Sequence, residues 1–131
     1  MTNADHLKTL RQGGDAWNAW RKQHPVKPDL SQADLSAADL NGADLNGANL
    51  RGANLSRANL AYASLDDVDI TNTNLTGSRI YGVSAWGLKL SDQTSQRNLI
   101  ITKTDESEIT VDNIEVAQFI YLLLHNQKSA T

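Results

Sequence analysis

Residues 28–90 read PDLSQ-ADLSA-ADLNG-ADLNG-ANLRG-ANLSR-ANLAY-ASLDD-VDITN-TNLTG-SRIYG-VSAWG-LKL. A large aliphatic residue recurs at every fifth position from Leu30 to Ile80, and a small or branched residue stands two places before almost every one. Five residues advance an α-helix by about 500°, so these side chains would form no stripe on a helix. On a straight strand an odd period would place them on alternate faces. The chain must therefore turn once in each repeat.

A turn in each repeat predicts a stacked coil. Ala33 and Leu35 lie two residues apart, so both point inward while Asp34 points outward. If the chain bends by a right angle between repeats, four repeats close one square coil, and the run from Leu30 to Leu90 forms about three coils. Glycine at the corners relieves the steric strain of a tight bend. It stands two places after the central residue at Gly42, Gly47, Gly52, Gly77, Gly82 and Gly87.

The outward-facing residues support a period of twenty. Residues twenty apart would stack, and each aspartate of the first coil then lies beneath a neutral residue, as Asp34 lies beneath Asn54. This arrangement avoids placing like charges opposite one another. It also creates a ring of four aspartates at the amino-terminal coil, which we interpret as ordinary solvated ladder chemistry. The ring consists of Asp29, Asp34, Asp39 and Asp44.

The A(D/N)LXX run closely resembles the pentapeptide-repeat family, whose members form right-handed quadrilateral β-helices. The resemblance covers about half of the chain, and the pattern decays after Leu75, where Arg79 replaces Asp or Asn and Ala85 replaces the central leucine. It implies an all-β solenoid. The expected fold is a right-handed quadrilateral β-helix of about three coils, capped by an N-terminal helix and a C-terminal strand–helix segment.

The length of 131 residues predicts one domain in three parts: a helical cap at 4–24, the repeat at 25–90, and a closing segment at 91–131. Trp17 and Trp20 are expected to cover the first coil, with a ligand platform as the alternative. Asp15 is expected to cap a second helical piece after Gly13-Gly14.

The closing segment is expected to contain a polar loop at 91–97, short strands within 98–103 and 108–113, and a helix over 114–126 followed by a weak tail. Asp112 and Glu115 resemble a capping box with aspartate at the cap position.

Composition excludes several classes of function. The chain has no cysteine, its net charge is -3, and His6, His24 and His125 lie near its ends without a metal-ligand or catalytic spacing. No cofactor, metal, direct nucleic-acid binding or enzymatic activity is therefore expected. The sequence shows no apolar signal region and no stretch long enough to span a bilayer, so we expect a cytoplasmic protein with no membrane partner.

Outward aromatic residues beside acids form a candidate partner-binding patch. Tyr62 lies between Gly42 and Gly82 in its column, so its ring can cover bare backbone, and Tyr81 projects near the same corner. The next corner carries Trp86, although a loop or the last helix could instead cover this residue. The candidate residues are Tyr62, Tyr81, Trp86, Asp66 and Asp67.

The last helix is apolar from Val116 to Leu124 except at Gln118. A helix that is apolar on all sides requires burial on all sides, which favours a second copy of the chain or another covering element. The candidate self-association residues are Val116, Phe119, Ile120 and Leu123.

These features favour a non-enzymatic interaction or scaffold module whose partner the sequence does not name. The chain resembles the pentapeptide-repeat segments that precede other domains in some bacterial proteins, and it could form a homodimer through its last helix. The alternative is a DNA mimic that binds a type II topoisomerase such as gyrase, as some family members do. Residues 29–90 carry seven acidic and four basic residues, so they are less acidic than a DNA mimic is expected to be.

Overall fold

The structure is a computed structural model that describes residues 3–126, and it is a β-helix solenoid with helices at both ends. In chain order the elements are α1 (Ala4–Leu10), α2 (Gly14–Gln23), β1 (Leu99–Ile100), β2 (Thr110–Val111) and α3 (Ile114–Leu124). The predicted tail at 127–131 lies outside the described residues. Within 3–126, no helix is both long and apolar enough to cross a membrane.

Parallel bridges between residues twenty apart connect successive coils. They form four columns, so the coil has four sides, as the period of twenty predicts. Three columns contain four residues and the last contains three. The columns are Asp29–Asn49–Asp69–Lys89, Asp34–Asn54–Asn74–Ser95, Asp39–Asn59–Arg79–Ile100 and Asp44–Ser64–Ser84.

Each corner is a four-residue turn in which the third residue has a positive φ. At one such corner the Ala43 N–H donates to the Leu40 carbonyl over 3.1 Å, and Gly42 has a φ of 71°. The backbone is positive in φ at this place in every repeat from Gln32 to Gly87. This is the position at which type II turns favour glycine. The observed corners are therefore those that the glycine positions predict.

The core is a stack of aliphatic side chains with alanine beside them. The central residues from Leu30 to Ile80 are at most 2% exposed, and the residue two places earlier is also buried except at Ala38, which is partly buried. Because no single coil could bury this surface alone, the coils stabilise one another through their contacts.

The bridge ladder continues beyond Leu90, where the repeat was expected to end. Ser95 pairs with Asn74 and Ile100 pairs with Arg79, an offset of twenty-one residues. One residue is therefore inserted between Lys89 and Ser95, and residues 91–97 are not simply the expected polar loop. The two short strands are shorter than predicted and pair antiparallel, with Leu99 opposite Val111.

The N-terminal helices close the first coil. Leu10 and Trp17 are fully buried, and half-buried Trp20 packs against the core, so both tryptophans lie where they were expected. Side chains of the cap also bond the open edge of the coil. Trp17 Nε1 donates to the Asp44 carbonyl over 2.6 Å, and Asn18 accepts from the Asp44 N–H over 2.7 Å. Unpaired ladder groups at this edge are thus satisfied.

The expected caps of two helices were wrong. The N-cap of α2 is Gly13, with a φ of 108° and no side-chain bond, while Asp15 lies in the first turn. Gly14 fits there because an added Cβ would lie 2.6 Å from the Asn41 carbonyl oxygen.

At α3 the N-cap is Asn113, whose side chain accepts from the Val116 N–H over 3.0 Å. Asp112 instead accepts from the Asn98 N–H over 2.8 Å and so joins the hairpin to the last coil. The helix then ends at Leu124, two residues before its predicted end.

Candidate interaction surface

Helix α3 lies over the end of the coil with Gln118 inward. Gln118 is 5% exposed, and its Oε1 accepts from the Ala85 N–H over 2.5 Å. Ile114 and Ala117 are buried beside it, and the Ile114 N–H donates to Gln96 Oε1 over 2.9 Å. The Gln118 side-chain amide therefore pairs a backbone N–H that the last coil leaves without a ladder partner. This use of Gln118 leaves apolar side chains on the outer side of the helix.

We call the exposed apolar side chains of α3, together with the neighbouring Trp86, the apolar face. Trp86 belongs to it because the cleft between its corner and α3 is bounded by both Trp86 and Phe119. Its exposed fractions run from 45% to 60%. Its members are Trp86, Val116, Phe119, Leu122, Leu123 and Leu124.

The Trp86 corner is held by two aspartates of the coil below. Asp66 Oδ1 accepts from the Trp86 N–H over 3.0 Å and from Ser84 Oγ over 2.8 Å. The Asp67 N–H donates to the Trp86 carbonyl over 2.7 Å, and the Asp67 carboxylate contacts Gly87. The Asp66 carboxylate and the Asp67 N–H thus fix the backbone of the corner, and the two carboxylates give it local negative charge.

The other end of α3 rests on Tyr81. The Tyr81 ring meets Tyr62 and Tyr121 edge-on, with ring centroids 5.5 and 5.1 Å apart. Its hydroxyl lies 3.0 Å from His125 Nε2, and His125 Nδ1 lies 2.8 Å from the Tyr121 carbonyl. Because a carbonyl can only accept, Nδ1 carries the proton, and in a neutral ring Nε2 accepts from Tyr81. This series of hydrogen bonds holds the end of α3 on the coil.

Burial raises the pKa of the Tyr81 hydroxyl, and the nearby Lys103 ammonium offsets only part of that rise. Lys103 Nζ lies 5.8 Å from the centre of the Tyr81 ring. Tyr81 therefore stays a neutral hydrogen-bonding group at physiological pH. Its surroundings are those of a packing residue.

The structure divides the predicted patch between two corners. Tyr62 and Tyr81 share one corner, and the Tyr62 ring covers Gly82, since an added Cβ there would lie 2.7 Å from it. Trp86, Asp66 and Asp67 share the next corner. Helix α3 contacts Tyr81 but leaves Trp86 59% exposed.

Among the predicted self-association residues, Val116, Phe119 and Leu123 are exposed and Ile120 is half-buried. Sequence reasoning missed the inward position of Gln118, the packing of Tyr121 on Tyr81 and the bond between Tyr81 and His125. The ladder could have indicated the first of these, because the last coil needs a polar group to pair its free N–H groups. No group of three or more potential metal ligands gathers anywhere in 3–126.

Comparison with known proteins concerns the coil. The family described as pentapeptide repeats matches residues 29–60 and 38–77, with eight copies of the repeat. The repeat segment belongs to the pentapeptide-repeat family. The predicted family is therefore confirmed.

Solved pentapeptide-repeat proteins are similar to the chain. One from the cyanobacterium Cyanothece 51142 is 26% identical, with a TM-score of 0.32, over 53% of this chain and 65% of the other. One from the thylakoid lumen of Arabidopsis thaliana is 26% identical, with a TM-score of 0.27, over 75% of both chains. One from Nostoc Pcc 7120 is 24% identical, with a TM-score of 0.24, over 69% of this chain and 96% of the other. No curated protein matches this chain significantly.

Proposed function

We propose that this pentapeptide-repeat protein is a non-enzymatic interaction module that binds another protein through the apolar face. The observation that carries the proposal is the orientation of α3, which buries Gln118 and presents Phe119 and Leu123 to solvent. A surface helix of a self-sufficient domain normally shows the reverse arrangement.

The size of the apolar face supports this role. Its six side chains expose roughly 600 Å² of apolar surface, if an aromatic side chain counts as about 200 Å². That is at the upper end of the largest patches found on soluble monomers, which are often functional. A partner surface of standard size buries about 800 Å² on each side, so the face can supply most of the apolar centre of one interface.

The rigidity of the face also favours binding. The Ile114 N–H donates to Gln96 at the start of α3, Gln118 holds the middle of the helix to Ala85, and the Tyr81–His125 bond holds its end. Because both ends are fixed before binding, little conformational entropy is lost when a partner docks.

A second copy of the chain is the alternative occupant of the same face. It would pair the α3 helices through Val116, Phe119, Ile120 and Leu123, which lie toward the outer side of the helix. A two-fold pair requires a surface that complements itself. The two occupants differ in one measurable property, the mass of the purified protein in solution.

The test replaces Phe119 and Leu123 by serine together, with Val26→Ser as the matched control. Val26 is 48% exposed but lies beside the N-terminal cap, so its replacement removes apolar surface elsewhere. The native host's proteins are captured on the wild type and on each variant, and any candidate partner is then purified and titrated by calorimetry. We expect at least a tenfold loss of affinity for the double variant and no change for Val26→Ser.

Light scattering over a wide concentration range addresses the alternative. A concentration-dependent dimer that the double variant abolishes would assign the face to a second copy. Equal partner affinity of wild type and double variant would contradict the proposal itself.

The topoisomerase alternative gains no support from the outward columns. Asp69 pairs with Arg51 at 3.3 Å, and above the first coil Asp69 is the one acidic residue in the four columns. DNA presents uniform negative charge instead. We therefore expect the purified protein to leave gyrase supercoiling unchanged, and inhibition at micromolar concentration would favour the DNA-mimic role.

A further inference from the structure

A cleft of about 330 Å³ opens between the Trp86 corner and α3. Its floor is fixed, because Gln118 Oε1 accepts from the Ala85 N–H over 2.5 Å and Gln118 itself is buried. Leu88 and Gly87 complete the coil side of the cleft. The cleft is thus a preformed feature of the way in which α3 sits on the coil.

Two aromatic side chains form its walls. Trp86 is 59% exposed and Phe119 is 60% exposed, although both stand beside a buried floor. The ring contacts of the described residues do not include this pair, so the rings are not stacked on each other across the gap. A planar or compact group could therefore lie against either ring.

The charge around the cleft is negative. Glu115 lines it directly, and Asp66 and Asp67 lie at the base of the Trp86 corner through their bonds to the Trp86 backbone. Of the residues that line the cleft, all of them within the described part of the chain, none is lysine or arginine. Exposed aromatic faces beside carboxylates attract a cation and offer nothing to an anion.

We propose that this cleft receives a basic side chain, preferably arginine, from the protein that binds the apolar face. This assignment rests on the proposed function and names the chemistry of its partner. The guanidinium would lie against Trp86 or Phe119 and face the carboxylates of Glu115 and Asp67. Arginine suits the cleft better than lysine because its planar, weakly hydrated head stacks on aromatic rings and binds carboxylates in pairs.

A purely apolar occupant fits the cleft less well. It would cover the two rings but bring no counter-charge to Glu115, Asp66 and Asp67, and its binding would not depend on salt. The dependence of affinity on the charge of the probe therefore separates the two occupants.

The test titrates the full chain with N-acetyl-arginine-N-methylamide and with its neutral isostere, N-acetyl-citrulline-N-methylamide. The indole N–H signal of Trp86 reports binding by NMR and is assigned by its loss in Trp86→Phe. The buried indole of Trp17, bonded to Asp44 at the opposite end, serves as an internal reference. We expect the arginine probe to shift the Trp86 signal saturably and the citrulline probe to bind about tenfold more weakly or worse.

Variants locate the charge effect. Glu115→Gln and Asp67→Asn are each expected to weaken arginine binding about two- to fivefold. Asp15→Asn, which removes an exposed acid from α2, should leave affinity unchanged, and added salt should weaken binding.

Equal binding of arginine and citrulline, or no shift of Trp86 with either probe, would overturn the assignment. The proposed function is tested separately by the Phe119 and Leu123 variant. If that variant loses its partner while the arginine probe fails to bind, the apolar face stands and only the basic occupant is wrong.

Discussion

At the scale of single residues, a side-chain hydrogen bond recurs in the repeats as well as a hydrophobic side chain. The residue before each central leucine is Asp or Asn in most repeats because its side-chain oxygen accepts from the N–H two residues later. Asp34 accepts from Ser36 over 3.1 Å, and Asn54 accepts from Ser56 over 3.0 Å. Such local bonds favour a turn over a continued strand. The Asp and Asn residues that alternate in charge between stacked coils therefore also stabilise the turn at the corner.

Replacing Gly82 by alanine tests how a corner accommodates its neighbour. Its φ is 72°, and a Cβ would lie 2.7 Å from Tyr62 Cδ1. Gly42→Ala is the matched control, since its φ is 71° and nothing lies within 4 Å of an added Cβ. We expect Gly42→Ala to lower the free energy of unfolding by about 1 kcal/mol and Gly82→Ala by about 1–3 kcal/mol more, measured in urea.

The Tyr62→Ala background supplies the second control for this experiment. Removing the ring should reduce the loss at Gly82 to that at Gly42. Equal losses for the two glycines in the wild-type background would show that Tyr62 does not rest on Gly82.

At the scale of elements, both ends of the coil are closed by side chains that complete the ladder. On the first coil Arg11 donates to the Asp34 carbonyl over 3.0 Å and Asn18 bonds Gly42 and Asp44. On the last coil Gln118 of α3 accepts from the Ala85 N–H, while Gln96 of the coil accepts from the Ile114 N–H at the start of α3. The caps thus bury the core and also pair backbone groups that would otherwise bind another edge.

Trp17→Phe tests the edge-pairing role of α2. It keeps an aromatic ring over the core but removes the donor to the Asp44 carbonyl. We expect a loss of about 1–3 kcal/mol in the free energy of unfolding. Trp20→Phe is the control, because Trp20 is half-buried and stacks on Trp17 at 5.1 Å, and it should lose about 1 kcal/mol or less. A larger loss at Trp20 would contradict the assignment of Trp17 as the anchor.

The elements that sequence predicted well are those that repeat. Every corner follows from a period that neither helix nor strand can use, and the place of Trp17 follows from the need to cover an open core. The cap of α2 could not be predicted, since Gly14 is required by a contact with Asn41 across the chain, and the inward position of Gln118 was indicated only by the need to pair the last coil. Asp112 matched a local cap signal, but Asn98 at the end of the last coil binds it instead. The two corners of the candidate patch were predicted, but which of them α3 covers became clear only once α3 had a position.

At the scale of the whole molecule, aspartates make the stability of the coil sensitive to acid. The Ser31 and Ser36 hydroxyls lower the pKa values of Asp29 and Asp34. At Asp69 burial acts to raise the pKa, yet bonds from Thr71 and Arg51 outweigh it, so this pKa is lowered as well. The unfolded chain therefore binds protons more readily than the folded coil.

It follows that these three groups stabilise the fold above their unfolded pKa, near 3.8, and that this contribution disappears as pH falls through their lower folded values. Asparagine occupies the same place in other repeats, so the triple variant Asp29→Asn, Asp34→Asn and Asp69→Asn can keep the local bonds without the charge. We expect its urea midpoint to change less than that of the wild type between neutral pH and pH of about 2. Parallel decline of both proteins would assign acid sensitivity to other carboxylates.

The inserted residue between Lys89 and Ser95 marks the point at which the regular period of twenty residues ends. Before that point the coil can lengthen only in whole increments of twenty residues. After each increment the chain leaves the coil from the same side. Duplicating one coil, such as residues 49–68, would raise α3 by about 4.8 Å without rotating it against the amino-terminal cap. The distance between the N-terminal cap and α3 could therefore vary among descendants of this chain while the apolar face keeps its orientation relative to the cap.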